Sequence, residues 1–326
     1  MCKKSIFTIM LLSVVLAASC GGPASKELTP VILTLDWVPN TNHTGIFVAQ
    51  ANGYFRDAGL DVQIIQPGEV YPEAAVASGA SDFGISFQEA VTLARADGVP
   101  IVSIAAIIQH NTSGFASPAA LNVKSPKDFE GLRYGSYESP FEAPTLQVLM
   151  QSAGADFSKL KFVSIGFDDP LALLAEKQID LAWIFYGWQG IQAERQGVAL
   201  NVVMMRDYFH VIPDYYTPVV ITSESVVNTK PEVARAFMRA LSRGYDYAIK
   251  NPGAAADILL AAAPELDAGL VKASQAWISS NYQAEAPRWG EQKESVWQGY
   301  INWMVDHDIL AMPISADAAF TNAFLP

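Results

Sequence analysis

Cysteine and histidine are scarce in this chain. Its 326 residues include 2 cysteines, Cys2 and Cys20, and 4 histidines. Both cysteines lie within or directly after an N-terminal apolar segment, so the rest of the chain has no thiol. This excludes thiol catalysis, thiolate metal sites and iron–sulfur clusters there. No two histidines have the i, i+4 spacing of a zinc-binding helix, and the sequence therefore predicts no metal site.

Positive charge is also scarce. The chain has 33 Asp and Glu against 21 Lys and Arg, which gives a formal net charge of −12. This excess of negative charge repels phosphates, so we expect no nucleic-acid partner. A hydrophobic content of 51% with 17% charged residues is typical of a well-buried globular protein and excludes a largely disordered one.

The N-terminus has the pattern of an export signal. Lys3 and Lys4 precede the apolar stretch Ile6–Ala18, which is shorter than the roughly 20 residues of a membrane span. The following residues resemble a bacterial lipoprotein box, with Ala17 where leucine is commoner. We expect a signal peptide over 1–19, lipidation of Cys20 and a tether over 20–30. The exported protein would then be anchored by its lipid at the outer face of the cytoplasmic membrane, or lie in the periplasm. An ordinary cleavage site beside a cysteine is the alternative.

Apolar runs of strand length alternate with helical patterns along the rest of the chain, which is typical of parallel βαβ sheets. In the first half the predicted strands are Val31–Trp37, Asp61–Gln66, Asp82–Phe87 and Ile101–Gln109, with helices at Gly45–Ala58, Glu69–Ser78 and Gln88–Asp97. The same rhythm then restarts, with strands at Leu132–Tyr137, Phe162–Gly166, Asp180–Phe185 and Leu200–Met205 and helices near Glu142–Ser152, Pro170–Glu176 and Trp188–Gln196. The fold class is therefore α/β, with two lobes.

The last third contains one strand, Val219–Thr222, followed by helices that have no strands of their own to cover. We expect these helices to pack on the first lobe, which would leave two connections, near Ala116–Ala120 and Tyr215–Pro218. Lobe 1 would then comprise 31–117 and 218–326, and lobe 2 would comprise 118–217, as in a hinged clamshell. Two sequential independent domains are the alternative.

Several motifs carry a family resemblance. They are the stretch from Leu35 to Gly45, the Gly84–Gln88, Ile107–Gly114 and Trp183–Trp188 segments, and Asp214–Pro218. In this order they resemble bacterial hydroxymethylpyrimidine-type thiamine-precursor binding proteins, the solute receptors of ABC importers. The resemblance implies a periplasmic-binding-protein-like clamshell of type II, a monomer, and an ABC permease and ATPase as partners. The implied ligand is a small aminopyrimidine.

Candidate ligand-binding residues lie at the carboxyl ends of predicted strands, where open α/β sheets bind ligands. The loop after the first strand offers Asn40, Asn42 and His43, although the two asparagines could instead build turns and cap the next helix. Asp36 is a candidate structural partner for neighbouring amides. His110 and Ser113 lie in a similar polar loop after the fourth strand.

Aromatic rings and hydrogen-bonding groups complete the predicted site. Four aromatic residues at strand ends are expected to sandwich a flat heterocycle, with core packing as the alternative for each: Trp37, Tyr137, Tyr186 and Trp188. Glu69, Gln88 and Glu142 are candidates to pair with an aminopyrimidine. Acidic residues in first helical turns are also favoured by the helix dipole alone.

Enzyme chemistry is the alternative of another class. The eukaryotic relatives implied by the resemblance are pyrimidine synthases that use pyridoxal phosphate, with a reactive Lys and His four residues apart after the glycine of the third strand. The matching positions here are Ser86 and Ala90, so the reagents are missing and we expect neither catalysis nor a cofactor. A receptor for a flavin or another flat heterocycle is the alternative within the receptor class.

Overall fold

The computed structural model describes residues 27–68, 70–166 and 168–326. The predicted signal peptide, the lipidation site Cys20 and the candidate ligand residue Glu69 lie outside the described residues. Within these ranges the chain forms two five-stranded sheets with helices packed against them, which confirms the predicted α/β fold with two lobes.

The first sheet has the strand order β2-β1-β3-β10-β4. Its strands are β1 (Thr29–Thr34), β2 (Leu60–Ile65), β3 (Phe83–Ser86), β4 (Ile101–Ala106) and β10 (Val219–Ser223). Strands β1, β2 and β3 are parallel, and β10 runs antiparallel between β3 and β4. Every residue of β3, β4 and β10 is buried, because helices cover both faces of the sheet.

The second sheet has the order β7-β6-β8-β5-β9. Its strands are β5 (Ser113–Pro118), β6 (Arg133–Ser136), β7 (Lys161–Ser164), β8 (Leu181–Phe185) and β9 (Leu200–Met204). Strand β5 was not predicted, because its Ser-Gly-Phe-Ala-Ser-Pro sequence has the composition of a loop. It is nevertheless buried between β8 and β9 and pairs antiparallel with both.

Strand β5 moves the first connection between the lobes. The chain crosses at residues 107–112, between β4 and β5, and not at the expected Ala116–Ala120. Residues 113–117, which were expected in lobe 1, therefore pair within the second sheet. The second connection runs from the end of β9 to the start of β10. Its Tyr215 and Tyr216 are buried, so this connection is packed against the body of the protein.

Helices of the first lobe are α1 (Thr44–Ala51), α2 (Tyr54–Asp57), α3 (Pro72–Ser78), α4 (Gln88–Ala96), α8 (Glu224–Thr229), α9 (Pro231–Lys250), α10 (Pro252–Ala262), α11 (Ala268–Ile278) and α12 (Glu294–Asp306). Those of the second lobe are α5 (Glu142–Ser152), α6 (Pro170–Ala175) and α7 (Ile191–Gln196). As expected, C-terminal helices return to the first lobe, where Phe237 of α9 stacks on Phe83 with ring centroids 3.9 Å apart. Among the described residues, no helix combines the length and apolar character needed to cross a bilayer.

Two glycines let α1 and α9 approach closely. A Cβ on Gly244 would lie 2.0 Å from the backbone oxygen of Gly45, and a Cβ on Gly45 would lie 2.4 Å from the ring of Tyr245. This contact fixes the start of α1, and with it the polar turn Thr41–His43 that precedes the helix. Packing between these helices therefore positions a candidate site loop.

Candidate functional site

The order of the strands indicates where each lobe can form a crevice for a ligand. In the first sheet β2 and β3 lie on opposite sides of β1, and in the second sheet β7 and β8 lie on opposite sides of β6. Ligands of open α/β sheets bind at such switch points, beyond the carboxyl ends of the strands. The connection over 107–112 joins the carboxyl end of β4 to the start of β5, which is antiparallel to β8. The two carboxyl edges therefore border one cleft between the lobes.

A cluster of carboxyl groups lies at the switch point of the first lobe. Ser86, at the end of β3, donates a hydrogen bond to the carboxylate of Glu73 in the first turn of α3. Burial raises the pKa of Glu73, the bond from Ser86 opposes this rise, and the nearby charge of Asp36 adds to it. Behind them, burial also raises the pKa of Glu89 to about 8. Glu73 at the crevice and the buried Glu89 behind it thus retain protons more readily than exposed carboxyl groups.

The polar turn after β1 is held by its own side chains. His43 is fully buried, and its Nδ1 accepts a bond from the backbone N–H of Asn40 at 3.3 Å. Its Nε2 therefore carries the proton and donates to Oδ1 of Asp36 at 2.6 Å. Oδ1 of Asn40 caps the turn by accepting from the N–H of Asn42 at 2.9 Å. The turn-building role of Asn40 is confirmed, and Asp36 pairs with an imidazole where an amide was expected.

Tyrosines support this turn from below. Tyr245 donates to the backbone oxygen of Asn42 at 2.7 Å, and Tyr282 donates to that of Thr41. Both tyrosines are fully buried. The loop is therefore anchored on the side away from the cleft.

In the second lobe, Glu142 shapes the loop after β6. Its side chain is 2% exposed, accepts from Ser136 Oγ at 2.5 Å and accepts from the backbone N–H of Tyr137 at 3.1 Å. Burial raises its pKa, and these hydrogen bonds oppose the rise. Glu142, a predicted ligand residue, thus binds its own loop and fixes the main chain of Tyr137.

The turn after β8, Tyr186–Gly190, is one turn of π-helix, a form that is frequent at functional sites. Tyr186 donates to the carboxylate of Glu194 on α7, and its ring lies 5.6 Å from that of Trp277 on α11. Trp188 packs against the core of the first lobe, although it belongs to the second. Glu194 and Trp277 were missed by sequence reasoning. The one sequence feature that could have pointed to Glu194 is its position eight residues after Tyr186, in a predicted helix.

Two other predicted ligand residues support the lobes and their connections. Gln88 is fully buried, and its side-chain oxygen accepts from the backbone N–H of Tyr216 at 2.8 Å. Ser113 donates to Asn111 Oδ1 at 2.6 Å and accepts from Trp183 Nε1 at 2.8 Å. Gln88 and Ser113 bond to the two connections between the lobes, so we assign them to the hinge and not to the candidate site.

His110 ties the two connections together. Its Nδ1 lies 2.5 Å from Asp214 of the second connection, and its Nε2 lies 2.8 Å from Glu285. The hydrogen bond with Asp214, followed by that with Glu285, raises the pKa of His110 to about 9 against the effect of burial. Asp214 also accepts from the backbone N–H of Asn111 at 3.0 Å. His110 is therefore a charged element of the hinge.

The candidate site consists of groups at the two facing edges. The first lobe contributes Asp36, Trp37, Asn40, Asn42, Glu73 and Ser86, and the second contributes Tyr137, Tyr186, Trp188 and Glu194. Polar groups dominate one edge and aromatic rings the other. This arrangement suits a flat heterocycle with hydrogen-bonding groups on its rim.

Comparisons with known proteins identify relatives of this chain. The family model described as NMT1/THI5 like matches residues 40–255. The chain is 29% identical to the formylaminopyrimidine-binding protein of Halalkalibacterium halodurans, over 96% of this chain and 97% of that protein. It is 24% identical to the riboflavin-binding protein RibY of Chloroflexus aurantiacus, over 100% and 99% of the two chains.

An enzyme and a solved structure extend the comparison. The chain is 26% identical to the 4-amino-5-hydroxymethyl-2-methylpyrimidine phosphate synthase of Legionella pneumophila, over 72% of this chain and 74% of the enzyme. The fold matches the ligand-binding component of an ABC-type import system from Staphylococcus aureus with a TM-score of 0.70. That match has 15% identity and covers 91% of this chain and 97% of the other. The clamshell fold is thereby confirmed.

Proposed function

The chain belongs to the NMT1/THI5-like family, and we propose that it is the substrate-binding protein of an ABC importer for a thiamine-related aminopyrimidine. The similarity to a formylaminopyrimidine-binding protein over nearly the whole of both chains supports this function. The ABC permease and ATPase are its partners, and it acts as a monomer.

The observation that carries the proposal is the carboxyl group of Glu73 at the switch point beside Ser86 and Asp36. An aminopyrimidine presents a ring nitrogen that accepts and an adjacent amino group that donates. A carboxyl group that retains its proton offers an O–H donor and a carbonyl acceptor at the matching spacing, and the raised pKa of Glu73 favours this form. Both polar groups on that edge of the ligand are then satisfied when they leave water.

Aromatic rings supply the rest of the binding energy. Trp37, Tyr137, Tyr186 and Trp188 follow strands whose carboxyl ends border the cleft, and stacking on such rings contributes about 1 to 3 kcal/mol per base. The ligand is bound without chemical change, because Ser86 and Ala90 stand where the related synthases have their reactive Lys and His. Binding without catalysis is therefore the function of this site.

Export and anchoring complete the proposal. The N-terminal signal is removed before Cys20, which carries the lipid that holds the protein at the outer membrane surface, facing the periplasm or exterior. Changing Cys20→Ser should release the protein from membranes in fractionated cells. A variant that remains membrane-bound with an uncleaved signal would contradict the anchor.

Calorimetry with hydroxymethylpyrimidine and formylaminopyrimidine tests the ligand. Glu73→Ala should weaken binding by about 1 to 3 kcal/mol, because the ligand edge loses its partner. Glu73→Gln should bind within a few-fold of the parent, since an amide also offers one donor and one acceptor. Parental affinity should fall as pH rises through the raised pKa of Glu73, whereas Glu73→Gln should stay flat. Parental affinity in Glu73→Ala would exclude this mode of recognition.

Riboflavin is the second candidate ligand, because the similarity to RibY spans the whole chain. Native mass spectrometry of the purified protein separates the two, since a flavin and a pyrimidine differ greatly in mass. A co-purified flavin, or tighter calorimetric binding of riboflavin than of either pyrimidine, would replace the first proposal.

A further inference from the structure

Helix α11 contacts both lobes. One side of it packs on α10 and on the Thr41–His43 turn of the first lobe. Its other side faces α7 and the Tyr186–Gly190 turn of the second lobe. The two lobes therefore meet directly at this helix.

The main chain at Gly187 lies flat against α11. Ser274 of α11 donates to the backbone oxygen of Gly187, and the Ser274 hydroxyl is 2.6 Å from that of Thr41. A Cβ on Gly187 would lie 2.9 Å from the ring of Trp277 and 3.0 Å from Cδ1 of Ile278. Cβ atoms essentially never come as close as 2.9 Å, so only glycine allows this approach without a shift.

Arg195, on α7 of the second lobe, forms a second contact with α11, near the start of that helix. Its guanidinium occupies the space beside Gly269, where a Cβ would lie 1.8 Å from Nη2. Nη2 is also 3.7 Å from Asp267, whose carboxylate caps α11 by accepting from the N–H of Leu270 at 2.6 Å. The missing side chain at Gly269 thus makes room for a cation from the other lobe.

We propose that α11 is the docking surface on which the second lobe closes, with Gly187 and Arg195 as positioning residues that stabilise the closed form in the absence of ligand. A contact that exists only in the closed form shifts the open–closed equilibrium whichever ligand is bound. The apparent affinity for ligand is the intrinsic affinity multiplied by the fraction of molecules that are closed. A contact that raises this fraction therefore also strengthens binding. The inference concerns the ligand-free protein and does not depend on the identity of the ligand.

Four variants separate docking from general stability. Arg195→Ala removes the cation, and Gly269→Ala displaces the flexible guanidinium without touching backbone. Gly253→Ala is the matched control, because Gly253 is also the second residue of a helix and nothing lies within 4 Å of its added Cβ. Gly187→Ala attacks the other contact. Small-angle scattering without ligand should show a larger radius of gyration for all but Gly253→Ala.

The double variant gives the sharpest result. If Gly269 serves only to house Arg195, then Gly269→Ala should have no further effect in the Arg195→Ala protein. Amide exchange in residues 268–278 should be faster in Gly187→Ala, and affinity for a bound pyrimidine should fall about threefold to tenfold. If Gly187→Ala fails to fold, the surface variant Arg195→Ala still decides the question. An unchanged radius and unchanged exchange in Arg195→Ala and Gly269→Ala would overturn the proposal.

Discussion

The two walls of the cleft are built in different ways. In the first-lobe wall, Asp36, His43 and Glu73 are largely buried and bonded to one another or to neighbouring side chains. In the second-lobe wall, Tyr186 and Trp188 are half-buried and lie on a single π-helical turn. The first wall is thus held by bonds within its own lobe, whereas the second also contacts α11 of the other lobe. We expect the first wall to be preorganised and the second to depend on how the lobes meet.

The packing beneath each wall explains the difference. Under the first, Tyr245 stacks on Trp289 with ring centroids 4.1 Å apart and planes 10° from parallel, and its hydroxyl supports the polar turn. The second wall is supported within its own lobe by the bond from Tyr186 to Glu194, and across the cleft by Ser274 and Trp277 of the other lobe. Damage to the first wall should therefore affect folding, and damage to the second should affect closure.

The largest expected effect comes from breaking the first wall at its base. Gly244→Ala places a methyl group 2.0 Å from the backbone oxygen of Gly45, which cannot move without shifting α1. Overpacking of this kind typically costs about 1 to 3 kcal/mol and occasionally more, and a clash with backbone should exceed that range. Urea unfolding measures the loss.

Gly299→Ala is the control for this variant. Gly299 lies inside α12, and nothing is within 4 Å of its added Cβ. Replacing glycine by alanine inside a helix should there stabilise the fold by about 0.5 to 1 kcal/mol. Equal unfolding curves for the two variants would show that the α1–α9 contact does not support the wall.

A smaller effect is expected from removing one group of each wall. Trp188→Ala and Asn40→Ala should each weaken pyrimidine binding by about 1 to 3 kcal/mol, through lost stacking and a disordered turn respectively. They should differ in kinetics, because only Trp188 moves with the second lobe. Stopped-flow measurements should show faster release for Trp188→Ala and slower association for Asn40→Ala.

Trp303→Ala serves as the control, because Trp303 lies on α12, is 6% exposed and packs in the hydrophobic core. It should lower stability by about 3 to 5 kcal/mol while the folded fraction binds normally. Parental affinity in both Trp188→Ala and Asn40→Ala would remove these walls from the site.

The contrast between the walls also explains what the sequence could predict. Strand periodicity and the polar loop after β1 are local patterns, so the two sheets and the Asn40 turn were predictable. Strand β5 was missed because burial between two neighbours overrides the loop-like composition of Ser113–Pro118. The position of the second-lobe wall depends on helix packing between the lobes. No local sequence pattern encodes that packing.

Side-chain roles were the least predictable feature. Glu142 and Gln88 have the residue type and position of ligand contacts, yet both bond to their own lobes or connections. Glu73, four residues beyond the predicted Glu69, meets Ser86 because α3 begins at Pro72 and turns its first carboxylate toward β3. Which face of a first helical turn points into a cleft depends on tertiary packing, and one sequence does not carry that information.

The smallest expected effect concerns the hinge that joins the two walls. His110 lies between Asp214 and Glu285, and its pKa rises from 6.5 to about 9 in the folded protein. When folding raises the pKa of a base, the base contributes its full stabilisation at pH values below the pKa of the unfolded state. This stabilisation is lost as the pH rises through the pKa of the folded state. Stability from this contact should therefore decline between about pH 6.5 and pH 9. Because the His110 side chain is 44% exposed, solvent screening limits the effect to about 1 kcal/mol or less. Urea unfolding across this range should show the decline in the parent and a flatter profile in His110→Gln, whereas identical profiles would mean that the hinge charge does not contribute.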